Sequence, residues 1–331
     1  MMYWKTFTMG LLLAAAASCS AIKADSPTPA TATPDRDQSP AAQVPADAKW
    51  VIYLNLDRAM QTPGAAKLLN TFLSSHQAAK QTIGRIETLM GNKFPDDFHQ
   101  AMIVGNKVGP NHGVLVIHAT ANQSHLNHLI ELNSAASKMT IGNTRVNMIP
   151  ASDRKGYTTF EASPAPGVFV ASRSEHAIKH ELDVLTGKAP GMAASNPLFI
   201  GLRDNVIVYL ADADVAKLVE HRRGRAGPVG MKYVTSAWLA VRVIKKKLDI
   251  RCRIHFIHAN TAAQMVQMGQ GWQAMMDLGA TNGNANPRQR FMAGIADRLN
   301  IGAIGKVIRV HWDMSLDKLL AGPAMPTSGK P

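Results

Sequence analysis

A chain that repeats part of itself is restricted to folds in which one unit can occur twice, and this chain carries short internal echoes. Residues Val114–Asn122 read as a strand running into a helix start. Residues Ile254–Ala262 repeat that layout, and the word Ile-His-Ala recurs at an offset of 140. Gly167–Ser174 leads into a helix ending Leu185-Thr186-Gly187, as Lys306–Trp312 leads through Ser315 into Leu320-Ala321-Gly322; Ser174 and Ser315 are 141 apart. A third pair opens each copy at a larger offset: Trp50–Leu54 before Ala66–Leu69, and Val206–Leu210 before Ala216–Val219. Two copies of one α+β unit are therefore expected, at residues 48–190 and 196–322, with a flexible tail at 323–331.

Periodicity places the elements within each copy. Leu248–His258 alternates apolar and polar residues, as a half-buried strand does, and follows a second strand at Trp238–Ile244. The turn between them, Lys245-Lys246-Lys247, makes the pair a hairpin, so antiparallel pairing should dominate. Cys252 lies on the side of Ile250, Ile254 and Phe256 and is expected to be a small buried apolar residue rather than a nucleophile. Thr261 and Gln264 have capping-box spacing, with Met265, Gly269, Trp272 and Met276 on one helical face behind them. Thr62-Pro63 opens another helix, and Ser174 caps one whose Ile178, Leu182 and Leu185 face one way. The expected fold class is α+β, each copy a mainly antiparallel sheet covered by helices on one face.

The N-terminus carries an address. Lys5 precedes a short apolar core at Met9–Ala17, and small residues run into Ser18-Cys19. Residues 1–18 read as a secretory signal peptide, too short to span a bilayer as a helix. Ala16-Ala17-Ser18-Cys19 is similar to the lipobox of bacterial lipoproteins, which makes Cys19 the candidate lipidation site. Cleavage near Ala21 or Ala24 would instead release a soluble protein. Residues 19–47 are rich in Pro, Ala and Thr and are expected to form a disordered tether, because they bury too little apolar surface to offset their ordering entropy. The chain is otherwise globular in composition, with 46% hydrophobic and 18% charged residues. Of its 2 cysteines one is Cys19, which leaves Cys252 without a disulfide partner.

Several marks are similar to those of uncharacterised secreted proteins from planctomycete-type bacteria. They are Lys49-Trp50-Val51, Leu56-Asp57, the strand Gly113–Val116, and the helix Ala177–Gly187 with its Leu182-Asp183-Val184-Leu185 core. The resemblance implies fold and location for residues 48–322, and it brings no catalytic motif or activity.

Catalytic signatures fail one by one. His180-Glu181-Leu182-Asp183-Val184 begins like a zinc-protease helix, but Val184 stands where the second His must coordinate. Gly224, Gly227 and Gly230 lack the spacing of a phosphate-binding loop, and no Gly-x-Ser-x-Gly elbow exists. His176 and His180, and likewise His125 and His128, have helical chelate spacing but lie on polar helix faces. His118 and His258 are read as occupying equivalent strand ends of the two copies. Met265, Met268, Met275 and Met276 are read as core filling rather than copper ligands. No metal, cofactor or catalytic residue is assigned. Such sites are assembled in space, so a periplasmic hydrolase with its site between the two units stays open as the alternative.

Charge is the remaining signal. The chain has a formal net charge of +13. Basic residues concentrate at Arg222, Arg223 and Arg225 and at Lys245, Lys246 and Lys247, with Arg251 and Arg253 following on the polar side of the strand. Arg222, Arg223, Arg225, Lys245, Lys246 and Lys247 are the candidate anion-binding residues. Outside the cytoplasm the matching partners are anionic lipid headgroups, acidic polysaccharide or wall polymers. Nucleic acid is disfavoured, since no aromatic residues interleave with these cations. The expectation is an exported, membrane-tethered protein of the periplasm or cell envelope, acting as a non-catalytic binding or assembly module.

Overall fold

The computed structural model describes residues 39–75, 81, 83–84, 87–88, 91, 93–107, 111–120, 136–150, 157–202, 205–215, 231–281 and 285–320. These fall into two compact units: residues up to 61 together with 69–200, and residues 62–68 together with those from 201 on. The class is α+β with antiparallel pairing throughout the ladders of each unit. Among the described residues no helix is long and apolar enough to cross a membrane.

The first unit contains β1 (Trp50–Asn55), α1 (Leu56–Met60), most of α2 (Pro63–Ser75), β2 (Phe98–Gly105) and β3 (Gly113–Ala119). It continues with β4 (Ser137–Ile141), β5 (Thr144–Ile149), β6 (Thr159–Ala165), β7 (Val168–Ser172) and α3 (Glu175–Leu185). Its strand order is β1-β2-β3-β7-β6-β5-β4. Helix α3 is capped by Ser174, whose Oγ accepts the Ala177 N–H at 3.2 Å, and it buries Ile178 and Leu182. On the other side of the pleat Leu115, Ile117, Phe98, Ile103 and Phe169 form a core with Leu56 of α1. Cover on one face was expected; here the central strands are buried on both. The runs Val114–Ile117 and Val168–Ala171 explain it, since they have no polar residue to turn toward water.

The stretch expected to stay solvated to residue 47 is packed from Ser39 on. Pro40–Gln43 forms a 3₁₀ turn, and Ala41 and Val44 are buried. The Val44 carbonyl accepts the Met192 N–H at 2.7 Å, and Pro45 bridges to Gly191. A Cβ at Gly191 would collide with the Ala42 carbonyl, so the strap lies flush on that glycine. Val44, one of the few large aliphatic residues of the leash, finds a slot there, and backbone pairing offsets the ordering cost.

The second unit contains β8 (Val206–Asp212), β9 (Val234–Ile244), β10 (Lys247–Phe256), α4 (Ala259–Thr281), α5 (Pro287–Ala296), β11 (Leu299–Ile304), β12 (Val307–Ser315) and α6 (Leu316–Leu320). Its strand order is β8-β9-β10-β12-β11. Phe256, Ile254, Ile308 and Val310 pack against Ala262, Val266 and Met265 of α4. The β9–β10 hairpin forms as expected, but the turn is Lys245-Lys246 alone and Lys247 opens β10. Helix α4 starts ahead of Thr261, because the His258 carbonyl already accepts the Ala262 N–H at 3.3 Å. The capping box lies instead on α5, where Asn286 and Gln289 satisfy each other's backbone N–H. Met268 and Met275, read as core, are 61% and 68% exposed. They occupy the helix side opposite Ala262 and Val266, which no described strand covers.

Candidate anion-binding face

Alternation along β10 sends Leu248, Ile250, Cys252, Ile254 and Phe256 to one face and Lys247, Asp249, Arg251, Arg253 and His255 to the other. Register then sets their neighbours. Asp249 stands between Arg242 of β9 and Asp313 of β12, Arg251 between Ala240 and His311, and Arg253 between Trp238 and Arg309. Five guanidinium or ammonium groups therefore share this face with two carboxylates.

One half of the face is neutralised. Arg242 and Asp249 are both buried, and the guanidinium donates to Asp249 Oδ1 from Nε at 3.1 Å and from Nη2 at 2.7 Å. Arg251 Nε adds a donor at 3.2 Å, and His311 Nε2 lies 2.9 Å from Oδ2. Burial alone would raise the Asp249 carboxyl, but the hydrogen bonds from Arg242 and His311 and the two guanidinium charges outweigh it, holding it below the usual range. Lys247 Nζ donates to Asp313 Oδ2 at 2.9 Å.

The other half is not neutralised. Arg253 and Arg309 stand directly across the ladder, and neither has an ion-pair partner among the described residues. Like charges in that position repel unless an anion lies between them. The Arg253 guanidinium carbon sits 5.5 Å from the centroid of the Trp238 ring, which supports it as a cation–π platform. Burial and then the Arg253 charge push the neighbouring His255 imidazole below its ordinary value.

The sequence-derived candidates divide accordingly. Lys247 is on this face but tied to Asp313; Lys245 and Lys246 form the exposed turn at its end. Arg222, Arg223, Arg225 and the lipidation candidate Cys19 lie outside the described residues, as do His125 and His128. The linear sequence does not mark Arg309, Arg242, His311 or Trp238 for binding, although Arg309-Val310-His311-Trp312-Asp313 alternates as a half-buried strand does. Trp238 puts an aromatic ring beside Arg253 through strand pairing, which residue order alone does not show. Cys252, expected to be buried, is half-buried, and burial pushes its thiol up to about 11.

The first unit holds a second polar region, a cleft of about 210 Å³ bordered by Asp47, Lys107, His112, His176, His180 and Glu181. His176 and His180, expected to be merely solvated, thus rim a cavity, and His180 Nδ1 lies 3.4 Å from Asp47 Oδ1. Glu181 is fully buried, and neither carboxyl oxygen has a hydrogen-bond partner among the described residues. Desolvation pushes its carboxyl up to about 8.

His118 and His258 do not occupy equivalent places. His118 lies within β3 opposite Val168, the first residue of β7, with Nε2 2.7 Å from Gln43 Oε1. In the second unit it is His255 that stands opposite Val307, the first residue of β12, and His258 is already beyond the strand.

No protein-family model matches the chain, and no curated protein matches it. Among solved structures, three crystal forms of TP0453, a Treponema protein, are similar to it. Form III has a TM-score of 0.48 at 12% identity, covering 86% of this chain and 98% of that one. Form IV has 0.48 at 11%, covering 86% and 95%, and form I has 0.44 at 11%, covering 86% and 96%. Likeness at this level assigns no function.

Proposed function

We propose that this chain is an exported envelope protein, tethered through a lipidated Cys19, that binds an anionic polymer or lipid surface with the exposed sheet face of its second unit. The observation that carries the reading is the Arg253–Arg309 pair, opposed across the ladder without a counterion among the described residues and backed by Trp238. Such a pair costs free energy in the unbound protein and recovers it when a phosphate, sulfate or carboxylate group bridges the two guanidiniums. Arg251, Lys245 and Lys246 extend the positive field along the same hairpin.

The two units are read as copies of one ancestor. Both run in the order first-second-third-last-penultimate, as β1-β2-β3-β7-β6 and β8-β9-β10-β12-β11. Both carry an irregularity at the same rung: Phe98 and Gln100 oppose Ala119 and His118, and Val234 and Ser236 oppose Phe256 and His255. The first unit adds the β4–β5 hairpin at its edge.

The test is co-sedimentation of the full chain with phosphatidylglycerol-containing and neutral vesicles, and retention on a sulfated matrix, each from 50 to 500 mM salt. Binding should favour the anionic partner and weaken steeply with salt. At about 1 kcal/mol per cation near an anionic surface, Arg253→Gln with Arg309→Gln should weaken it roughly 10- to 30-fold. Salt-independent binding, or full binding by the double variant, removes the reading. Intact-mass analysis of the chain from its native host tests the anchor on Cys19.

A further inference from the structure

Three residues far apart in sequence meet at one end of the first unit's sheet. Asp57 is the second residue of α1, immediately after β1; His99 lies at the irregularity of β2; Thr120 follows β3. Strands β1, β2 and β3 are consecutive neighbours, so the end of β1, the start of β2 and the end of β3 come together. His99 Nδ1 is 2.9 Å from Asp57 Oδ1, and His99 Nε2 is 2.8 Å from Thr120 Oγ1. Carboxylate, imidazole and hydroxyl are thus joined in series through the two ring nitrogens.

Each member is held. Phe98 pairs with Ala119 and Gln100 with His118, which leaves His99 out of the ladder, the arrangement by which a bulge re-aims a side chain. The Thr120 N–H donates to the Asp97 carbonyl at 2.7 Å, fixing the hydroxyl-bearing residue. Helix α1 is anchored by Asn55, whose Oδ1 accepts the Arg58 N–H at 2.9 Å. The His99 side chain is 13% exposed, whereas Asp57 is 39% exposed and the Thr120 residue lies open to solvent. With Asp57 accepting the Nδ1 proton, Nε2 is left as the acceptor of the Thr120 hydroxyl proton. The fold itself does not demand this relay. At the corresponding irregularity of the second unit the out-of-ladder residue is Thr235, not a histidine, and its hydroxyl donates to the His255 carbonyl at 3.2 Å.

We propose that Thr120 is a nucleophile, activated by His99 as general base and oriented by Asp57 as positioning residue, and that it cleaves activated carboxylic esters. This is an activity beyond the anion binding proposed above. Thr120 Oγ attacks the ester carbonyl carbon and forms a C–O bond while its proton passes to His99 Nε2. The tetrahedral adduct collapses, the bond to the alcohol oxygen breaks, and that oxygen takes the proton from His99. Water then attacks the acyl-threonine and gives one proton to His99; the carboxylic acid leaves, and Thr120 recovers its proton. A good leaving group places the least demand on stabilisation of the oxyanion, hence the ester class.

The experiment exposes the full chain to a fluorophosphonate probe and, separately, to 4-nitrophenyl acetate. The adduct is mapped by peptide mass spectrometry. Wild type should carry the phosphonyl adduct on Thr120, and Thr120→Ser should retain it. His99→Gln and Thr120→Ala should lose labelling and lower steady-state ester turnover about 100-fold or more. Circular dichroism establishes that each variant is folded, and if Thr120→Ala is not, the wild-type and Thr120→Ser adducts still decide. The proposal is overturned by the absence of an adduct on Thr120 in wild type, or by equal turnover in folded Thr120→Ala, the outcome expected if surface imidazoles supply the ester cleavage. Neither readout involves an anionic surface, so vesicle binding can fail or succeed independently.

Discussion

Replacing Glu181 by Gln should remove a stability loss that the wild-type protein suffers as pH rises. Glu181 sits on α3 among Ile178, Leu182 and Val184, fully buried, with both oxygens unpartnered among the described residues. Its carboxyl has an ordinary value of 4.5 and a folded value of about 8. The folded state therefore holds a proton that the unfolded state has released between these two values, and stability falls with pH in that window. The contribution is fully present below pH ~4.5 and is lost as pH climbs through about 8. At about 1.4 kcal/mol per unit, the loss between pH 5 and pH 8 comes to between about 3 and 4 kcal/mol, a large part of a typical domain's stability. Glu161, buried and pushed up to about 7, adds a second slope of the same sign, so the diagnostic quantity is the difference between wild type and Glu181→Gln. Guanidinium denaturation followed by far-UV circular dichroism at pH 5, 6, 7 and 8 measures it. The variant should gain on wild type progressively with pH. Parallel curves for the two proteins over this range would refute the claim that Glu181 is folded in its protonated form.

Three further outcomes are expected. Lys245 and Lys246 have φ of 48° and 61°, a left-handed pair that favours Asn-Gly, so Lys245→Asn with Lys246→Gly should stabilise the protein by about 1–2 kcal/mol; a lowered melting temperature contradicts this. Asp249→Ala strands the buried Arg242 and should cost about 3–5 kcal/mol in denaturant titration. Because the Asp249 carboxyl is held below its ordinary value, the stability it contributes is present at neutral pH and lost as pH falls through the folded value, and the variant should lose that acid-side dependence.

What the sequence disclosed was what period-2 patterning encodes, and its failures have a common cause. The β9–β10 hairpin was legible because apolar and polar residues alternate on both sides of Lys245-Lys246. The two-sided burial of β3 and β7 was equally present in unbroken apolar runs. The proposed duplication shows in the sequence as a period and not as a register. The shared word Ile-His-Ala matched His118 with His258, whereas the ladder partners Val168 and Val307 match His118 with His255. Short apolar words slide freely along a strand; cross-strand neighbours do not, and only they define equivalence. The same argument applies to chemistry. Arg253 looked like one cation of a hairpin until β12 placed Arg309 opposite it, and His99 belonged to no motif until a displaced residue turned it between Asp57 and Thr120, 42 and 21 positions away. Both arrangements are consequences of register at a few rungs. A one-residue slip of β12 would carry Arg309 to the apolar face, and regularising the start of β2 would turn His99 away from its partners. Candidate function in this protein is therefore encoded less by which polar residues it has than by where two ladders are held.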